Sequence, residues 1–153
     1  NLKSIGGSAY FWCSDLTSLG NLKSIGGSAN FESSKVTNLG NLQSIEGNAS
    51  FGYSSIIDLG NLKSIGGNAY FDDTKVTDLG NLQSIGGSAY IRDFKVTDLG
   101  DLRSVGGYLD IRGSNITSLG NIEHVGVKII TDETNDYLRE EYESRIKGRK
   151  AKI

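Results

Sequence analysis

The chain has 153 residues, a formal net charge of −2 and a hydrophobic fraction of 37%. This charge balance argues against a nucleic-acid-binding or anionic-membrane-binding domain, and no apolar run approaches the roughly 18 residues of a membrane span. Cys13 is the only cysteine, so the chain can form neither an internal disulfide nor a thiolate metal cluster. We therefore expect no nucleic-acid partner, no membrane insertion and no cofactor.

A unit of 20 residues repeats along the chain without insertion or deletion, as in NLKSIGGNAYFDDTKVTDLG at residues 61–80. A strict period of this length is typical of a solenoid, in which each repeat is one coil that packs on its neighbours. A further copy begins at Asn121 and loses the pattern after Gly126. The complete copies begin at Asn1, Asn21, Asn41, Asn61, Asn81 and Asp101.

Within the unit, the alternation of Ala69 and Phe71 with Tyr70 and Asp72 has the period of a strand. We therefore predict a short strand near repeat positions 8 to 12, and a parallel sheet formed by successive copies. No helical period is present in the coil. The predicted inward side chains of the fourth copy are Leu62, Ile65, Ala69, Phe71, Val76 and Leu79.

Glycines and polar columns mark the corners of the predicted coil. Repeat position 7 is glycine in every complete copy, which indicates either a positive φ or a close backbone approach. Position 6 accepts Glu46, so glycine is not needed there for its dihedral angles. Columns of asparagine at position 1 and of serine at positions 4 and 14 predict ladders that satisfy backbone groups.

The segment LDIRGSNI at residues 109–116 resembles the strand segment of a leucine-rich repeat, and NLKSIGGNAYF at residues 61–71 is similar to the receptor L domain. The resemblance implies a mainly β, right-handed solenoid over residues 1–130, with six full repeats and a partial seventh. Phe94 departs from the pattern, because it stands in the column of serine and threonine.

After residue 130 the period ends, and Leu138, Tyr142 and Ile146 recur at helical spacing. We predict a helix over about residues 134–147 that stops at Gly148, within a segment 131–153 that ends in a basic tail. Solenoids need covered ends, so this helix is expected to cap the last coil, or else to link to another domain. No cap is visible before Leu2, where we expect upstream repeats or a second copy of the chain.

Repeat positions 8, 10, 12 and 13 point outward and vary most between copies. Tyrosine, tryptophan and arginine supply most of the binding energy of protein interfaces, although exposed aromatic residues also stabilise sheets without a ligand. We interpret this face as a binding surface for a protein or glycan. The candidate ligand-binding residues are Tyr10, Trp12, Tyr70, Asp72, Tyr90, Arg92, Tyr108 and Arg112.

Other functions have less support. Asp72, Asp73 and Asp93 lie close enough to suggest a calcium site, but Arg92 is expected to neutralise them. The single histidine, His124, is expected in a capping contact, so we predict neither an enzyme nor a metal site.

The leading hypothesis is a bacterial cell-surface or secreted recognition module. The alternatives are a structural spacer that associates through its N-terminal end and, more remotely, an ice-binding surface. The last is suggested by a threonine column that Ile57 interrupts.

Overall fold

The structure, a computed structural model, describes residues 1–152 and is a parallel β-solenoid with 20-residue coils and one C-terminal helix. The predicted repeat architecture is therefore confirmed, while its handedness stays a prediction. The elements are β1 (Ser4–Ile5), β2 (Ala9–Tyr10), β3 (Ser24–Ile25), β4 (Ala29–Asn30), β5 (Ser44–Ile45), β6 (Ala49–Ser50), β7 (Ser64–Ile65), β8 (Ala69–Tyr70), β9 (Ser84–Ile85), β10 (Ala89–Tyr90), β11 (Ser104–Val105), β12 (Leu109–Asp110), β13 (His124–Val125), β14 (Ile129–Ile130) and α1 (Asp136–Lys150).

Each coil contributes one strand to each of two parallel sheets of seven strands. The first sheet contains the odd-numbered strands and the second sheet contains the even-numbered strands. Each strand of the first six coils pairs with the strand 20 residues further on, as in Ser4 with Ser24 and Ala9 with Ala29. The second sheet is the one predicted near positions 8 to 12, whereas the first was not predicted.

Backbone hydrogen bonds tie each coil to both neighbours. In the second sheet the N–H groups of Ala29 and Phe31 donate to carbonyls of the following coil, each at 2.8 Å. At the corner between the two sheets the N–H groups of Gly66 and Gly67 donate to the preceding coil, at 2.7 and 2.9 Å. Because the same pairs recur in each coil, the side chains of one repeat position form a straight column across the sheet.

A column of stacked phenylalanines occupies the core. Phe11, Phe31, Phe51 and Phe71 stack with ring centroids 4.9, 5.6 and 4.9 Å apart. In the fifth coil the smaller Ile91 takes the phenylalanine position, and buried Phe94 enters the core from position 14 to lie 5.4 Å from Phe71. Phe94 therefore compensates for Ile91, which explains its departure from the repeat pattern.

The corners of the coil use glycine in two ways. The glycines at position 20 have φ between 51° and 58°, a conformation that favours glycine. Position 7 does not have positive φ; a Cβ on Gly27 would lie 2.6 Å from the backbone nitrogen of Ser8. Of the two explanations offered for position 7, close backbone approach is correct.

The polar ladders differ in part from those predicted. Asn61 and Asn81 donate through Nδ2 to the carbonyls of Gly40 and Gly60, 21 residues earlier, at 3.0 and 3.1 Å, as expected for the asparagine column. Position 14 satisfies backbone groups only in part: Ser54 and Ser114 bond to backbone atoms of their own coils, whereas the hydroxyls of Ser14, Ser34 and Thr74 have no hydrogen-bond partner. An unpredicted ladder runs along position 8, where each side-chain oxygen accepts from the next coil's N–H group, as in Asn68 to Asn48 at 2.8 Å.

The helix α1 covers the last coil. Leu138 is fully buried, and the hydroxyl of Tyr142 accepts a 2.7 Å hydrogen bond from the N–H group of Val125. Arg145 and Arg149 donate to the carbonyls of Gly120 in the sixth coil and Glu123 in the seventh coil, at 3.5 and 3.4 Å. The helix runs through Gly148 to Lys150, so the predicted stop at Gly148 is wrong.

The first coil is open by contrast, with Leu2 64% and Leu16 43% exposed. Across residues 1–152, no helix has the length and apolar character needed to cross a membrane.

Candidate functional site

The outward face of the second sheet brings most of the predicted binding residues together. Tyr70, Tyr90, Arg92 and Arg112 occupy three successive coils, with Tyr108 beside them at position 8. Tyr10 and Trp12 lie on the same face at the first coil, 67% and 61% exposed, and Tyr10 lies three strand spacings, roughly 14 Å, from Tyr70. The predicted set is therefore divided into a central group and an outlying pair.

Two tyrosines form a rigid stack at the centre of this face. The rings of Tyr70 and Tyr90 are 5.1 Å apart and only 2° from parallel. Asn68 donates to the Tyr70 hydroxyl at 3.2 Å, and the guanidinium carbon of Arg92 lies 5.6 Å from the centre of the Tyr90 ring. Stacking and cation–π attraction both hold these side chains in place before any ligand arrives.

A buried carboxylate anchors the two arginines. Asp110 is fully buried, and it accepts hydrogen bonds from Nε of Arg92 at 3.0 Å and Nε of Arg112 at 2.9 Å. Burial alone would raise the pKa of Asp110, but the guanidinium groups of Arg112 and Arg92 outweigh it and lower the pKa. The guanidinium of Arg92 therefore forms its ion pair with Asp110, and not with Asp72 as the sequence suggested.

A cleft of about 410 Å³ lies beside the tyrosine stack. It exists because Gly52 and Ser50 are small residues in columns that are otherwise large, and Gly52 is buried at its floor. Its volume is within the usual range of ligand sites. We call it the Gly52 cleft, and its lining residues are Glu32, Ser50, Gly52, Tyr53, Tyr70 and Asp72.

Sequence reasoning placed Tyr70 and Asp72 among the site residues but not Glu32 or Tyr53. The sequence signal for this cleft was Gly52 itself. A glycine in a column of larger outward side chains leaves a depression between the neighbouring coils.

Tyr53 is held in an unusual backbone conformation at the edge of the cleft. Its φ is 53°, in the left-handed region that bulky residues rarely adopt, and its side chain is 71% exposed. Position 13 has positive φ in every complete coil, and the sixth coil fills it with Gly113. The Asp73 carboxylate raises the pKa of Tyr53, through a hydrogen bond and through its charge. Tyr53 therefore places an exposed aromatic side chain at a position where glycine would have less backbone strain.

The cleft is acidic and lacks an internal cation. Burial raises the pKa of Asp72, and its Oδ1 atom is buried without a hydrogen-bond partner. Glu32 forms no ion pair within residues 1–152. Over the same described range, no group of three or more His, Cys, Asp or Glu side chains is arranged to hold a metal ion, the aspartates near Asp72 included.

A larger cleft, of about 780 Å³, lies at the position-20 corner. Its carboxylates are already used by the backbone: Asp58 and Asp78 accept hydrogen bonds from the N–H groups of Gly60 and Gly80 at 2.6 and 2.5 Å. These contacts shape the turns between coils, so we assign this cleft a structural role.

No family model, curated protein or solved structure matches this chain.

Proposed function

We propose that this protein is a non-enzymatic recognition module that binds a protein or glycan ligand through the outward face of its second sheet. The observation that supports this most directly is the ordered stack of Tyr70, Tyr90 and Arg92 beside the Gly52 cleft. Aromatic and arginine side chains dominate interface hot spots, and side chains that are already ordered lose less entropy on binding. A leucine-rich-repeat or receptor L-domain type of solenoid on a bacterial surface is part of the same proposal.

Other outward positions have structural roles, which distinguishes them from positions 10 and 12. Position 8 carries a hydrogen-bonded ladder, and position 18 accepts hydrogen bonds from the corner glycines. Positions 10 and 12 contribute Tyr70, Tyr90 and Arg92, whose rings and guanidinium group retain surfaces that no backbone contact requires. Binding is the role that these side chains can serve beyond stabilising the sheet.

The test compares the wild type with a variant that lacks the central group. Tyr70→Ala, Tyr90→Ala, Arg92→Ala and Arg112→Ala are combined with Asp110→Asn, because the buried carboxylate would otherwise lose both of its partners. We expect ligands found for the wild type on a glycan array, or in a cell-surface protein extract, to be lost by the variant while circular dichroism stays unchanged.

A matched control alters the solvent-exposed column that directly precedes the strands of the first sheet. Lys23→Ala, Lys63→Ala, Gln83→Ala and Arg103→Ala remove comparable side chains from repeat position 3. The control should bind as the wild type does. Binding that survives loss of the central group would contradict the proposal.

The second candidate, a spacer or assembly unit, is favoured by the open first coil, where Leu2 and Leu16 are exposed. Contact between two first coils would be symmetric and would give a dimer. Light scattering over a concentration series should then show a dimer that Leu2→Lys with Leu16→Lys dissociates. A monomer at all concentrations would exclude this role.

A further inference from the structure

We propose, on the basis of the recognition function above, that the Gly52 cleft binds an arginine side chain of a protein partner. The guanidinium would lie between the carboxylates of Glu32 and Asp72 and against the rings of Tyr53 and Tyr70. The cleft would then be the specificity pocket of the larger binding face.

The repeat geometry sets the two carboxylates on opposite sides of an empty position. Glu32, Gly52 and Asp72 occupy position 12 of three successive coils, so the outer two backbones are two strand spacings, roughly 9.6 Å, apart. A Cβ on Gly52 would lie 3.2 Å from the Asp72 carbonyl oxygen and 3.9 Å from Cγ of Glu32. Any side chain at residue 52 would therefore enter the space that the guanidinium requires.

The charges of this face make the cleft a site for an external cation. Two coils further along, the carboxylate of Asp110 is satisfied by Arg92 and Arg112 at 2.8 and 2.7 Å. Arg92, the base nearest to Asp72, is committed to that pair. The Oδ1 atom of Asp72 has no hydrogen-bond partner, and burial raises the pKa of this carboxyl although the charge and the backbone N–H group of Arg92 act to lower it. A further positive charge beside the carboxylate would therefore stabilise its ionised form.

The lining favours a guanidinium over a sugar. Glu32 and Asp72 present carboxylate oxygens, which only accept hydrogen bonds when ionised, and no basic or amide side chain lines the cleft. A guanidinium is a planar group with donors only, and it binds both carboxylates and aromatic faces. Tyr53, kept exposed at a φ of 53°, supplies one such face at the edge of the cleft. A sugar hydroxyl would also need donors, which the lining provides only from hydroxyl groups.

The experiment titrates ¹⁵N-labelled protein with N-acetyl-arginine amide and follows the backbone amides by NMR. N-acetyl-citrulline amide, which has the same shape without the charge, and methyl α-glucoside serve as comparison probes. We expect saturable shifts at Gly52 and Tyr53 with the arginine probe alone. Glu32→Gln with Asp72→Asn should weaken its binding by about tenfold or more, the loss expected for charge-assisted hydrogen bonds.

The control variant, Glu46→Gln with Asp78→Asn, makes the same chemical changes away from the cleft and should bind as the wild type does. The NMR spectrum of each variant reports whether it is folded. No response to the arginine probe, an equal response to citrulline, or undiminished binding by the Glu32/Asp72 variant would each overturn the inference. A response to the glucoside alone would overturn it in favour of a glycan.

Failure of the inference can be distinguished from failure of the proposed function. The binding screen separates the two cases. If a ligand still binds the Glu32/Asp72 variant but no longer binds the variant without the central tyrosines and arginines, the recognition face is supported and the arginine pocket is refuted.

Discussion

At repeat position 8, a side-chain oxygen completes the backbone bonding between coils. Ser8, Ser28, Asn48, Asn68 and Ser88 each accept a hydrogen bond from the N–H group of position 8 in the following coil, at 2.8 to 3.0 Å. Apart from Tyr108, the variation at this position is therefore variation among acceptors, and it gives no evidence of binding. Sequence reasoning could not separate position 8 from the other outward columns, because serine and asparagine serve equally well in a ladder and on a free surface.

Asp132 is a residue whose ionisation should contribute to acid stability. Hydrogen bonds from the Thr134 hydroxyl, from the N–H group of Gly113 and from the N–H group of Thr134 lower its pKa to about 2. This is below the pKa of an unfolded aspartate, roughly 3.9, so the ionised form stabilises the fold. The contribution is fully present above about pH 4 and is lost as the pH falls to about 2.

We therefore expect Asp132→Asn to lower the urea midpoint at neutral pH, and the difference from wild type to shrink as the pH falls from about 4 to about 2. Urea unfolding at a series of pH values measures this. Asp101→Asn, which restores the asparagine found at position 1 of the other copies, is the control. A difference that is independent of pH would show that the Asp132 charge has no role in linking the C-terminal segment to the sixth coil.

At the scale of single elements, the core column shows how one repeat departs from the others without breaking the stack. Phe94→Ser should cost about 3–5 kcal/mol through the cavity it leaves, and Ile91→Phe about 1–3 kcal/mol through overpacking. The double variant recreates the phenylalanine and serine arrangement of the first three coils. We expect it to be more stable than Phe94→Ser alone, as measured by denaturant unfolding.

The pair of substitutions is a double-mutant cycle. Because Phe94 is fully buried and lies 5.4 Å from Phe71, the two sites share one packing space. Additive effects of the two substitutions would mean that Phe94 does not compensate for Ile91.

The sequence predicted some elements well and others not at all. Alternation around Ala69 and Phe71 predicted the second sheet, because side chains on both faces of that strand follow a period of two. Most strands of the first sheet, such as Ser64–Ile65, are followed directly by two glycines, so no alternation of side chains extends beyond the pair. Gly148 did not stop the helix, which continues with Arg149 donating to the carbonyl of Glu123. Tertiary contacts of this kind override local preference.

At the scale of the whole molecule, a strict repeat allows the sequence to predict which residues share a column, but not which side chains contact each other. Arg92 and Asp72 are neighbours in one column, yet Arg92 reaches diagonally to Asp110 in the next coil. The Gly52 cleft likewise extends over three coils. It is formed by the side chains around Gly52, which has no side chain of its own. Columns follow from spacing alone, whereas rotamers and cavities depend on side-chain packing across coils.

The repeated backbone bonding between coils also has a mechanical consequence. Each coil is attached to the next by the same few parallel pairs, and Tyr142 and Arg149 fasten only the final coil. Tension applied between the two ends should therefore detach coils one at a time from the open first coil. Each detached coil of 20 residues should lengthen the chain by roughly 65 Å. Optical-tweezers extension should show a series of equal steps, whereas a single rupture over the full length would show that the coils resist force together.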